Sequence, residues 1–143
     1  MKAVLDVGQY VSATLRGDGH PAQVLSAWRD AEFELCVSIP ILEDLHRVLA
    51  YPHIRKRHHW TDEQIDLFVI ALGIAAHLTQ GELEVSVVED DPTDDKIFAC
   101  AEEGTVDYIV SSDEHLTKIG NYKGIPIVPP RRFLEILKQA KSG

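Results

Sequence analysis

Asp91-Pro92-Thr93-Asp94-Asp95-Lys96-Ile97, continuing through Ala101 and Gly104 to Asp107-Tyr108-Ile109-Val110-Ser111-Ser112-Asp113, decides how this chain folds. Pro92 and Thr93 prepare a helix from Asp94 to Glu103, which Gly104 is expected to terminate. Asp107 to Ser111 then reads as a short apolar strand, the fourth along the chain, with Asp113 just past its end. A helix that feeds directly into a buried strand is the repeating unit of an α/β chain.

The same alternation extends outward. Upstream, Lys2-Ala3-Val4-Leu5 is a buried first strand bounded by Asp6 and Gly8. A helix through Tyr10 and Leu15 follows and ends in the turn cluster Arg16-Gly17-Asp18-Gly19-His20-Pro21. Ala22 to Asp30 is helical by its apolar spacing, and Phe33 to Val37 alternates as a strand does. Ser38 and Pro40 open a helix whose apolar stripe is Ile41, Leu42, Leu45, Val48 and Leu49, and Tyr51-Pro52 stops it. Thr61-Asp62-Glu63-Gln64 is a capping box that starts a long apolar helix reaching about His77. Glu84 to Val88 reads as the third strand. Downstream, Ile125 to Val128 is the last strand, expected at an edge because Pro126 cannot donate to a ladder. Arg131 to Gln139 closes the chain as a helix. The expected fold is one domain over residues 1–143, a three-layer α/β/α sandwich with a mostly parallel central sheet of about five strands.

Bulk composition agrees with that reading. The 143 residues, 45% hydrophobic and 26% charged, suit one globular domain with a proper core. No apolar run approaches the roughly 18 residues of a membrane span. Asp6 arrives too early for a signal peptide, so a cytoplasmic location is expected. Cys36 and Cys100 lack Cys-x-x-Cys spacing and are expected as two buried thiols. The 14 basic against 23 acidic residues give a formal charge of -9, which on its own argues against a phosphate-rich partner. Bound cations would offset part of it, and Arg55-Lys56-Arg57-His58-His59-Trp60 concentrates positive charge beside an aromatic ring. Arg55 and Arg57 are therefore candidates for contact with a nucleic-acid backbone, the rival reading being a solvated loop between helices.

Four isolated acids carry the chemistry. Asp6 closes the first strand, Asp44 lies in Leu42-Glu43-Asp44-Leu45, Asp94 opens a helix, and Asp113 follows the fourth strand. Each has a plain structural explanation: helix capping for Asp6 and Asp113, solvation for Asp44, and the helix dipole for Asp94. As a set they point elsewhere. Residues just past strand carboxyl ends converge on one crevice, and carboxylates gathered there repel one another unless a cation neutralises them. Glu43 competes with Asp44 for its place. Ser111 and Ser112 add hydroxyls suited to a phosphate oxygen or a metal's water.

This pattern resembles the PIN-domain family of metal-dependent ribonucleases, and within it the toxin-type, VapC-like proteins of toxin–antitoxin pairs. The resemblance runs from Val4-Leu5-Asp6 to Ile127-Val128-Pro129 and is most specific in the quoted stretch, which ends in a Ser/Thr-x-Asp motif. Ser38 through Leu49 is similar to the family's second helix, with Asp44 where Glu is commoner. The resemblance implies Mg²⁺ or Mn²⁺ held by Asp6 and Asp94, with Asp113 and Asp44 completing the ligands. It further implies hydrolysis of single-stranded RNA by an activated water, a cognate antitoxin as partner, possible homodimerisation, and no membrane association. One motif departs. Where the family has Thr or Ser and then Asn after the first acid, this chain has Val7 and Gly8. Gln9 substitutes for the missing carboxamide only if the turn is rearranged. A catalytically impaired PIN-fold module that binds RNA or an antitoxin is the alternative.

Phosphotransfer folds with a similar sheet fit less well. A haloacid-dehalogenase-like phosphatase needs an acid at position 8, where Gly8 stands, and a response-regulator receiver needs an acid pair and a Lys after the last strand. Neither is present, and no Gly-rich dinucleotide loop follows the first strand.

Overall fold

The computed structural model describes residues 1–85 and 95–142. In chain order the elements are β1 (Lys2–Leu5), α1 (Val7–Leu15), α2 (His20–Arg29), β2 (Glu34–Ser38), α3 (Ile39–Leu49), α4 (Pro52–His58), α5 (Asp62–Ala75) and β3 (His77–Thr79). They continue with α6 (Asp95–Gly104), β4 (Tyr108–Val110), α7 (Glu114–Thr117), β5 (Asn121–Tyr122), β6 (Ile125–Val128) and α8 (Pro130–Ser142). The described strands form one sheet in the order β3-β2-β1-β4-β6-β5, parallel except for the β5–β6 pair.

β1 sits at the centre because its residues suit burial on both faces. Ala3, Val4 and Leu5 are all fully buried, Ala3 and Leu5 on one face and Val4 on the other, following the two-residue period of a strand. The Ala3 face packs against apolar residues of α1, α2, α3, α5 and α8, including Tyr10, Leu25, Leu45, Ile65 and Phe133. The Val4 face packs against α6 and α7 through Ile97, Phe98, Cys100 and Leu116. Together they make three layers around one mostly parallel sheet.

Several local expectations shift. The third strand is His77–Thr79, not 84–88: its backbone pairs with β2 at Cys36, Val37 and Ser38, directly after α5 ends. Glu84 and Val85 lie outside regular structure, and residues 86–88 lie outside the described residues. β6 is not an edge strand, since the two-residue β5 covers it. Pro126 is tolerated because the ladder with β4 begins only at Ile109 opposite Ile127. Pro52 does stop α3, but it also starts α4, where a proline suits the first turn, so most of the basic stretch is helical. Cys36 and Cys100 are buried free thiols, as expected.

Gly104 belongs to α6, and the left-handed residue after it is Thr105, with φ 51°. The glycine is needed for close approach: a Cβ there would lie 2.3 Å from the Cys36 Sγ. Gly104→Ala therefore should lose about 1–3 kcal/mol in urea unfolding, the usual cost of overpacking. Adding Cys36→Ala should recover most of that loss, and a double-mutant cycle measures the coupling.

Candidate functional site

The order of the strands creates the site. The chain leaves β1 for β2 on one side and returns to β4 on the other, so β1 and β4 flank the topological switch point of the sheet. Ligands of open α/β sheets bind at the carboxyl ends of strands at such a point. Asp6 follows β1 there, and Ser111, Ser112 and Asp113 follow β4. A cleft of about 290 Å³ opens between them, and its charged lining residues are Asp6, Asp44, Lys96 and Asp113.

Asp6 is held from several directions. Its own N–H donates to the Val110 carbonyl at 3.1 Å, carrying the β1–β4 ladder one step past the strand. As N-cap of α1 its carboxylate accepts the Gln9 N–H at 3.2 Å. The Ser111 hydroxyl donates to its other oxygen, and that hydroxyl also accepts the Asp113 N–H at 3.0 Å. Asp113 caps α7, accepting the His115 N–H at 2.9 Å. Capping and placement in the cleft thus coincide, because a cap at a strand's carboxyl end faces the crevice.

The surroundings of Asp6 disfavour its charged form. Burial pushes its carboxyl above the ordinary value; Ser111 and the Gln9 N–H offset part of this, and the nearby Asp113 charge adds to it.

Asp44, not Glu43, reaches the cleft. Asp44 is 8% exposed and Glu43 points to solvent. Its carboxylate accepts from the Arg47 guanidinium three residues along α3 and from the Lys96 ammonium of α6 at 3.1 Å. Neither cation belongs to the set of acids and serines that the sequence singles out. Arg47 was legible from its (i, i+3) spacing, and Lys96 from its place directly after Asp94-Asp95. Asp94 lies outside the described residues.

The other candidates divide. Ser112 is exposed on the cleft wall. Ser111 is fully buried and does not line the cleft; it orients Asp6 instead of facing a substrate. Arg55 and Arg57 lie on α4 and do not line the cleft. Arg55 pairs with Asp62 at 2.5 Å, while Arg57 is exposed. The Gln9 side chain makes no bond to Asp6. From the first turn of α1 its carboxamide donates to the Ser112 hydroxyl at 2.9 Å. A side chain at position 8 would instead crowd Asp6, since a Cβ there would lie 3.2 Å from its Oδ1.

Hard divalent cations prefer oxygen donors, and the cleft supplies carboxylates and a hydroxyl. The Gln9 carboxamide oxygen is buried with no partner among the described residues, and Gln9 lines the same cleft as Asp6, whose carboxyl burial pushes above its ordinary value. These features fit a hard cation at the Asp6–Asp113 corner. Among the described residues no three acidic, imidazole or thiol groups cluster tightly enough to hold a metal by themselves.

Comparison with known families gives one assignment: a family described as PIN domain matches residues 2–115. No curated protein matches the chain significantly.

A carboxyl whose folded pKa lies above its unfolded one stabilises the fold below the unfolded pKa, and that stability is lost as pH rises through the folded value. Asp6→Asn keeps the N-cap and removes the desolvated charge. In chelator-treated protein near pH 7 it should raise Tm by about 2–4 °C, the scale of ~1 kcal/mol for this chain length. Thermal melts should show the difference vanish below the ordinary carboxyl pKa, where Asp6 is protonated in both states.

Proposed function

This chain belongs to the PIN domain family, and from that premise we propose that it is a divalent-metal-dependent endoribonuclease of single-stranded RNA and the toxin of a toxin–antitoxin pair. The family supplies the coarser half: its members are generally metal-dependent nucleases. The observation that carries the proposal is the meeting of Asp6, Asp44 and Asp113 on one cleft at the switch point of the sheet. The whole chain, 1–143, is read as one nuclease unit.

On this reading Asp6 and Asp113 are the described residues that would hold Mg²⁺ or Mn²⁺, with Asp94 and Asp44 as further candidates. When bound, the cation acidifies water and offsets charge on the scissile phosphate. The protein's own groups do the positioning. Ser111 holds one oxygen of the Asp6 carboxylate and the Gln9 N–H holds the other, which fixes the plane of the group. On the same reading the exposed Ser112 hydroxyl would donate to a phosphate oxygen, and the exposed Arg57 on α4 would add positive charge for the RNA backbone. The solvent-facing apolar side chains Leu67, Ile70 and Ile74 of α5 support a protein partner, an antitoxin or a second copy.

A second reading, a PIN-fold module that binds without cutting, is favoured by one observation: Asp44 is already engaged by Arg47 and Lys96. Cleavage of single-stranded RNA across a Mn²⁺ titration separates the two. The nuclease reading expects metal-dependent cleavage abolished by Asp6→Asn and by Asp94→Asn. Ser111→Ala, which removes a partner that orients a metal-holding residue, should reduce apparent Mn²⁺ affinity or rate by about 10–100-fold. RNA binding with no cleavage at any Mn²⁺ concentration would leave only the binding module.

A further inference from the structure

We propose that Lys96 is the built-in cation of the Asp44 side of the cleft, standing where a second divalent ion would otherwise bind, so that the site takes one divalent ion only, at Asp6 and Asp113. The inference rests on the metal-dependent reading above and extends it to the number of ions.

The two sides of the cleft are neutralised differently. At Asp44 the carboxylate oxygen Oδ1 receives both the Lys96 ammonium, at 3.1 Å, and the Arg47 guanidinium. Among the described residues, the hydrogen-bond partners of Asp6 and Asp113 are a hydroxyl and backbone N–H groups, all uncharged. A divalent ion entering beside Asp44 must first displace a resident positive charge, whereas one entering at Asp6 and Asp113 relieves a repulsion the protein leaves in place.

Lys96 is poorly explained by the helix that carries it. It lies in the first turn of α6, where a positive side chain opposes the macrodipole. Its ammonium is a compact point charge on a flexible stem, able to stand close to a carboxylate as a metal ion does. The Asp44 side chain is 11% exposed and that of Lys96 33%, so the pair is shielded from bulk water yet still opens on the cleft. Arg47, with 56% of its side chain exposed, can move into solvent and is the weaker obstacle.

Isothermal titration of the full chain with Mn²⁺ tests this, with melts of each metal-free variant as the folding control. Wild type and Lys96→Arg should bind one equivalent. Lys96→Gln should bind two, and adding Asp44→Asn to it should return the count to one. Lys96→Met, which keeps the aliphatic stem, replaces the Gln variant if that one does not fold. Two equivalents in wild type overturn the inference and leave the nuclease reading standing, as does a single equivalent in a folded Lys96→Gln or Lys96→Met protein. No Mn²⁺ binding by wild type overturns both.

Discussion

The Ser111 hydroxyl, between the Asp6 carboxylate and the Asp113 N–H, is the contact on which the rest of the site depends. Asp6 must sit deep enough to close β1 at the middle of the sheet, and depth penalises its charge. A fully buried hydroxyl lowers that penalty and, with the same oxygen, sets where the chain turns toward Asp113. Ser111 is itself fixed by its N–H to the Val128 carbonyl, at 3.0 Å. Three strands, β1, β4 and β6, are therefore tied together at one residue, Ser111. A site built on strand ends in this way is more rigid than one built on loops.

Much of the fold was legible because its strands are buried on both faces. Lys2–Leu5 and Tyr108–Val110 are short apolar runs closed by acids, and helical patterns flank them. The third strand escaped because three residues at a sheet edge are fixed by backbone pairing with β2 and carry almost no pattern of their own. The glycine after the quoted helix was legible as a stop signal, yet its physical role is to make room for Cys36, a contact sixty-eight positions away that no local pattern encodes.

The candidate site was readable as a set of acids but not as a balance of charge. Asp6 and Asp113 were visible because capping residues at strand ends face the crevice. Asp44 against Glu43 was undecidable from spacing, because both flank the same apolar stripe; burial selects Asp44. Ser111 and Ser112 looked equivalent, but alternation sends one into the core and leaves the other exposed. Arg47 and Lys96 acquire meaning only once α3 and α6 are packed together around Asp44. With both cations present the cleft is asymmetric, self-neutralised on one side and electrostatically open on the other.

We propose that the corner made by Asp6 and Asp113, prepared by Ser111, is a divalent-cation seat. Anomalous diffraction from crystals soaked in Mn²⁺ tests it most directly. A peak is expected at coordination distance, about 2.0–2.2 Å, from carboxylate oxygens of both residues. A map with no peak there at saturating Mn²⁺, with the Ser111–Asp6 contact intact, would contradict it.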